Sequence, residues 1–526
     1  MKPAVPSQVD VAIIGGGING AGLAALAARS GLSVALFEKG DFGSGTSSKS
    51  TKLIHGGIRY LEHADFSLVF EALHERSHLL KLAPHLVHPL SFLLPVYRGD
   101  RRPAWMLKVG LWLYDWLAGL RNISRHQWFS PEAALQRAPS LNPEGLQGCG
   151  LYYDAQVNDA RLVLENILAA GEAGALCLNY HRVMEVKNEG PRGSRVFFKN
   201  GETGETGDLT ALAVVNASGP WANQTEEMIS PGTKPLVRPT RGTHLVVPQA
   251  LSGDAVLITT RRDNRVIFVI PWRGYSLVGT TDLDDPEDPD KTQASEAEID
   301  YLLQEASRLF PGRPWDRSQV LAVFTGLRPL AWADQDSASS VSREDRILRR
   351  ENTVTIVGGK LTTYRSMAAK AVKALGPILR RPITLPGNFN LPGTPDRPWT
   401  EFLGTKVPDW VKNFGITEAQ ALHLAGLYGQ KAGGVLALLA ENPALGEPLH
   451  PSRPEILAQA AYAVKGERAL HLDDVLLRRL EIGYTPYRWG EAPEKTSKLM
   501  AGLLGWDEPT RQKELAQYRS RLFPPV

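Results

Sequence analysis

The chain is poor in cysteine. Only Cys149 and Cys177 occur among 526 residues, at a spacing that fits no metal or redox motif. A disulfide framework is therefore excluded, although a single bridge is not, and a reducing compartment fits best. Long apolar runs are also missing, with no stretch of ~18 uncharged apolar residues, so no bilayer-spanning helix is expected. The first ten residues carry one lysine and two prolines and no apolar segment, which argues against a secretory signal. Nor does one sign of charge dominate: 59 Lys and Arg stand against 56 Asp and Glu, a net charge of +3. That balance supplies no whole-molecule field for nucleic acid, so any anion site must be local. The expectation is a soluble or peripheral intracellular protein of two to four folding units, at ~150 residues each, with a core that needs no staple.

What is present begins at residue 9. Residues 9–14 read as a buried strand, followed at once by Gly15-Gly16-Gly17-Ile18-Asn19-Gly20, an Ala/Leu-rich helix to Arg29, and a second strand at 33–37 ending in Glu38. This βαβ setting is what gives a glycine fingerprint its meaning. Gly15 permits a tight turn, Gly17 lets the backbone approach a pyrophosphate, and Gly20 lets helix and strand pack closely. The pyrophosphate then meets the unpaired amides of the helix N-terminus. Glu38 is placed to accept hydrogen bonds from a ribose diol, and an acid there disfavours a 2′-phosphate, which favours FAD or NAD over NADP.

Further along, residues 55–180 mix helical periods with loops. Residues 181–300 look β-rich, with apolar runs at 211–216, 244–247, 266–270 and 276–279, a pattern that suggests an antiparallel sheet inserted into an α/β domain. A short strand at 354–357 leads into Gly358-Gly359-Lys360, a second strand–glycine–helix joint. Six prolines between 376 and 398 predict a linker. Amphipathic helical patterns follow, for example at 454–464 and 473–480. The acidic stretch 282–290 reads as a solvated loop. The fold class expected is α/β: a Rossmann-type domain over 9–385, with an interleaved β-rich substrate part at roughly 60–150 and 220–330, a linker at 386–398 and a helical cap over 399–526.

The segment from Thr46 to Leu61 is chemically dense. Thr46, Ser47 and Ser48 offer hydroxyls suited to phosphate or flavin contacts, and Gly56-Gly57 permits close approach to a flat ring. The stretches DVAIIGGGINGAG, TSSKSTKLIHGGIRYLEH, NASGPWA, VIPWRGYSLVGTTD, TGLRPL and GGKLTTYR, in that order over roughly residues 9–370, resemble the FAD-dependent, aerobic-type glycerol-3-phosphate dehydrogenases. The likeness continues more loosely through DDVLLRR at 473–479, where Leu480 replaces the usual threonine.

The resemblance implies FAD as cofactor and sn-glycerol 3-phosphate as substrate, oxidised to dihydroxyacetone phosphate with hydride transfer to flavin N5. Electrons then pass to a membrane quinone, and the protein sits in the cytoplasm, peripheral on the inner face of the cell membrane; a homodimer is entertained. By the same likeness Arg59, Tyr60, Arg328 and Arg343 surround the substrate phosphate, and His244 and Lys360 line the flavin face. Amides around Gly359, Leu361 and Thr362 meet the flavin's O2/N1 edge, where negative charge grows on reduction. The Val183 segment holds the adenine, and Gly219 with Trp221 closes the pocket. His55 and His244 are both candidates for the base that takes the C2 hydroxyl proton, and Lys360 for stabilising the developing alkoxide. No cysteine lies in these motifs, so FAD is expected without a covalent link.

Two features point elsewhere. His74-Glu75-Arg76-Ser77-His78 spells the HExxH of zinc hydrolases, yet on a helix both histidines fall opposite the apolar face of Val69, Ala72, Leu73, Leu79 and Leu80, so a surface face is expected and no metal. Trp105, Val109, Trp112 and Trp116 form a stripe that suits either a core helix or one lying in the bilayer interface. A dioxygen-using oxidase and a non-catalytic flavoprotein of the same fold are the rival functions.

Overall fold

The glycine-led unit forms strand Gln8–Ile14, helix α1 (Ile18–Arg29) and strand Val34–Phe37. The computed structural model describes residues 5–251, 253–332 and 345–522, arranged around two sheets. In the first, Gln8–Ile14 pairs in parallel with Val34–Phe37 on one side and Thr206–Asn216 on the other; Leu176–Leu178 and Thr353–Val357 extend the parallel set outward. Ala21, Ala24, Ala25 and Ala28 of α1 are buried. Their small side chains let helices Asp159–Glu172 and Tyr364–Leu379 pack closely against it.

The run at 211–216, expected in the inserted sheet, belongs instead to this parallel sheet. Ala211, Ala213, Val214 and Val215 are wholly buried, and a strand covered on both faces reads as a continuous apolar run rather than an alternation. The second sheet holds Val237–Pro248, Asp254–Thr259, Val266–Trp272, Tyr275–Gly279 and Ala322–Ala331, joined by Val87–Tyr97 and Leu146–Val157. It is antiparallel except where Asp254–Thr259 meets Val87–Tyr97. Those last two long strands fall where helices and loops were read. Pro89 and Pro95 in one and Gly148 and Gly150 in the other interrupt the strand signal.

Helix Tyr364–Leu379 runs on through Pro377, slightly into the proline-rich stretch where no regular element was expected. The chain from 380 to 398 has no helix or strand, yet it is tied down: Gly393 N donates to Glu165 Oε2 (2.7 Å) and Thr394 Oγ1 to Leu82 O (2.6 Å). Helices Trp399–Phe414, Glu418–Tyr428, Ala432–Glu441, Leu457–Glu467, Glu491–Leu504 and Glu508–Arg521 follow. Their apolar faces share one core with Phe92, Tyr152, Trp272 and Phe324 of the second sheet. The segment Asp474–Arg479 is a π-helix, fully buried, arginines included. Buried ion pairs join this part to the rest: Arg478 and Arg479 with Asp41, Arg161 with Glu467, and Lys52 with Glu481. Losing one partner of such a pair strands a buried charge at about 3–5 kcal/mol, so these contacts fix how the helical part docks.

Candidate active site

The turn that opens α1 is one wall of a cavity of about 560 Å³. Gly15 has φ +112°, and a Cβ there would lie 2.6 Å from Ala217 O; one on Gly20 would lie 1.9 Å from Gly15 O. Gly17 is less crowded, its nearest neighbour being Ser47 Oγ at 3.1 Å from a Cβ, and Ser47 Oγ accepts from Ile18 N (2.9 Å). Glu38 closes the far side of the turn: Oε2 accepts from Gly16 N (2.7 Å) and Oε1 from Gly40 N (2.8 Å). Burial pushes its pKa up, against the opposing pull of those two amides. Thr46, Val183, Gly219, Trp221, Gly359 and Leu361 line the same cavity, so the structure brings these sequence-predicted positions together. Ser48 does not line it; buried, it offers its carbonyl to Lys52 Nζ (2.8 Å).

A second cavity of about 180 Å³ opens from the first and shares Thr46, Gly326, Lys360 and Leu361 with it. His55, Tyr60, His244, Arg328 and Thr362 line it. His244 Nε2 lies 2.9 Å from Thr51 Oγ1, and its ring stacks on Phe324 at 5.0 Å. Burial first, then the charges of Arg328 and Lys52, hold its pKa well below the ordinary histidine value, which leaves the imidazole neutral. Lys360 Nζ lies 3.8 Å from the centre of the Tyr60 ring, a cation–π contact. Thr362 is pinned to the turn opposite, with Oγ1 3.2 Å from His55 N.

Arg328 is engaged from three sides: Asp282 (3.1 Å), Thr280 Oγ1 (2.9 Å) and Thr281 O (3.1 Å). The acidic stretch 282–290 is exposed over much of its length, as a solvated loop would be, but Asp285 is buried and four of its acids are paired. Asp282 pairs with Arg328, Asp284 with Arg238, Asp285 with Arg241 and Asp290 with Lys39. Arg59 does not line the cavity that holds Arg328; it lines an adjoining apolar one. Arg343 lies outside the described residues.

Three groups escaped the sequence reading. Asp154 accepts from Gly56 N (3.1 Å), Tyr114 OH (2.7 Å) and Arg76 Nη1 (2.5 Å), and so fixes the His55-Gly56-Gly57 turn from below. Arg76 is the middle residue of the zinc-like motif and is fully buried, whereas His78 is exposed and His74 bonds Phe70 O. Among the described residues no three His, Cys, Asp or Glu side chains gather as a metal site. Lys52 bonds Asp159 (2.5 Å) beneath Phe324. Arg478 and Arg521 reach the large cavity from the helical part. Arg478 lies between Leu477 and Arg479, and an arginine pair after an apolar run gives the sequence little hint of such a reach. Both cysteines are buried free thiols, their pKa pushed up to about 12 by burial.

A family model described as FAD dependent oxidoreductase matches residues 10–361. The chain belongs to that family. Residues 387–511 match the C-terminal domain of alpha-glycerophosphate oxidase. The glycerol-3-phosphate dehydrogenase of Synechocystis sp. is 36% identical, the alignment covering 97% of this chain and 95% of that one. The mitochondrial glycerol-3-phosphate dehydrogenase of Homo sapiens is 35% identical over 98% and 73%. The crystal structure of the Bacillus halodurans glycerol-3-phosphate dehydrogenase complexed with FAD superposes with a TM-score of 0.80, at 28% identity, covering 99% of this chain and 96% of that one. The large cavity fits the cofactor of this FAD-dependent family: bare backbone at Gly15 and Gly17 beside the first turn of α1 for a diphosphate, a carboxylate at Glu38 for a ribose, and a floor at Gly358-Gly359 with positive φ at both residues.

Proposed function

We propose that the chain oxidises sn-glycerol 3-phosphate to dihydroxyacetone phosphate and hands the electrons to a membrane quinone. The observation that carries the substrate is the small cation-lined cavity opening onto the FAD site, in a chain whose relatives bear that substrate's name. Arg328 offers a fork to the phosphate, and Lys360, held on Tyr60, stands ready for an alkoxide at C2. Bound FAD supplies the acceptor for the hydride that leaves C2. Of the two histidines, His244 is neutral and so able to take the hydroxyl proton; a dianionic ester beside Arg328 offsets the positive field that disfavours its imidazolium. His55 is the alternative base on the same cavity.

The quinone and the membrane rest on helix Ala104–Ala118. Trp105, Val109, Trp112 and Trp116 are 58–68% exposed, which favours the interfacial reading of the stripe over the core one and suits a peripheral position on the inner membrane face. Beneath this helix lies a largely apolar cavity of about 220 Å³ lined by Ile58, Leu61, Met106 and Leu107, with Arg59, Glu62, Asp100 and Arg102 also on its wall, one turn of chain away from Tyr60 and a fitting port for a quinone ring.

Anaerobic titration tests the reading. Glycerol 3-phosphate should bleach the flavin band stoichiometrically and glycerol should not; reduction by both alike would remove the phosphate from the argument. Trp112→Glu with Trp116→Glu should abolish sedimentation with anionic vesicles and slow quinone turnover, while bleaching by substrate persists.

A further inference from the structure

Lys49 stands in the wall between the two cavities and lines both. Its stem lies against Gly326, where a Cβ would come within 3.0 Å of Lys49 Cβ. Among the described residues no carboxylate comes within ion-pair distance of its ammonium. The other cations close by are committed. Arg478 bonds Asp41, Asp473 and Asp474; Arg479 bonds Asp41; Arg521 pairs with Asp473. Arg478, Arg479 and Arg521 thus take up Asp41, Asp473 and Asp474, and Lys49 pairs with none of the three. Burial, then Arg478 and Arg521, push its pKa below the usual lysine value, with Asp473 only partly opposing.

We infer that Lys49 is the counter-cation of the FAD diphosphate. Position selects that anion over the substrate phosphate. Lys49 comes two residues after Ser47, whose hydroxyl is fastened to the first amide of α1, at the diphosphate end of the fingerprint. Arg478 and Arg521, the charges Lys49 feels most, line the cofactor cavity and not the substrate cavity. The substrate phosphate has Arg328. A diphosphate carries two negative charges; the α1 amides answer one region of it and Lys49 supplies the full positive charge that amides cannot. The same group completes the charge balance of the cluster through which the helical part docks, so FAD binding and docking reinforce each other. The inference rests on FAD and is independent of the substrate proposed above.

The test is FAD retention by the full-length holoprotein. Dilution with detection of released flavin fluorescence should show Lys49→Met binding FAD about ten- to a hundredfold more weakly, as for loss of one charged contact. Lys49→Arg should stay within about threefold of wild type, because it keeps the charge. Added FAD should bring the melting temperature of Lys49→Met up to the wild-type value, at a concentration raised by the same factor. An unchanged FAD affinity in Lys49→Met overturns the inference. A higher KM for glycerol 3-phosphate with FAD affinity intact would assign the cation to the substrate and overturn it equally. So would a variant that fails to fold at any FAD concentration, since a lysine acting through the cofactor is not needed by the fold itself.

Discussion

The α1 end of the large cavity is walled by backbone, with Gly15 and Gly17 on its wall and Gly20 packed behind them against Gly15, whereas the small cavity is walled by side chains. His55, His244, Arg328 and Lys360 reach it from four separated segments; the side chains of the last three are held by Thr51, Asp282 and Tyr60, and Thr362 holds the backbone of His55. A backbone wall is set by what is left out of the sequence and fails when anything is added. A side-chain wall is set by networks, and its members change function one at a time while the fold stands. The contrast fixes the order of effects expected from substitutions.

The largest effect belongs to the backbone wall. Gly20→Val places a branched side chain where even a Cβ would lie 1.9 Å from Gly15 O, and neither side of the helix–strand contact can yield. The expected cost exceeds ~4 kcal/mol, read as loss of soluble, flavin-containing protein; a yellow Gly20→Val enzyme would refute this account of the turn. Next comes the support under the side-chain wall. Arg76→Met strands Asp154 and should cost about 3–5 kcal/mol, whereas His74→Ala and His78→Ala should leave both melting temperature and turnover nearly unchanged.

Arg328→Ala removes the fork from the substrate cavity and should raise KM for glycerol 3-phosphate about ten- to a hundredfold, or ~1.5–3 kcal/mol. Flavin content should be normal, and Arg328→Lys should recover part. Because the variant removes the Arg328 contact to Asp282, Asp282→Asn should be added to the alanine variant. If KM returns to normal in the pair, Asp282 was obstructing the site and Arg328 was not reading the phosphate. Gly17→Ala sharpens the comparison from the other side. Gly17 has space that Gly20 lacks, so the protein should fold, but the methyl narrows the approach of the diphosphate. FAD affinity should fall by ~1–3 kcal/mol, measured by dialysis against limiting FAD.

The same contrast explains what the sequence disclosed. The βαβ unit was legible because its signal is contiguous: an apolar strand, glycines at fixed offsets, an alanine-rich helix and Glu38 within thirty residues. The run at 211–216 reads as a strand of the inserted sheet yet lies in the parallel one, since pairing partners two hundred residues apart leave no local trace. Strands Val87–Tyr97 and Leu146–Val157 were missed because proline and glycine signal turns, and here tertiary pairing overrides them. In the side-chain wall the residues were named from family likeness, but their holders were not. Four of the acids at 282–290 pair with Arg328, Arg238, Arg241 and Lys39, which lie elsewhere in the chain, so that tethering leaves no local trace. The zinc-like motif drew attention to two histidines, and its structural weight falls on Arg76 between them.

The smallest effect concerns the field inside the side-chain wall. In an unfolded chain a histidine titrates near ~6.5; in the fold, burial, Arg328 and Lys52 hold His244 well below that. Between the two values the unfolded chain binds a proton that the native state refuses, so His244 favours the fold above about pH 6.5 and that contribution is lost as pH falls. Going from about pH 7.5 to about pH 5.5, wild type should lose about 1.4 kcal/mol more stability than His244→Gln, compared by urea denaturation of each. His423, depressed to about 4 by burial, acts with the same sign in both proteins and cancels in the difference. Equal losses would mean that His244 accepts a proton freely in the fold. Arg328→Ala removes the stronger of the two charges that repel the imidazolium, so it should shrink the pH-dependent loss while raising KM. A backbone wall has no counterpart to that coupling, because a glycine amide has no charge for its neighbours to tune.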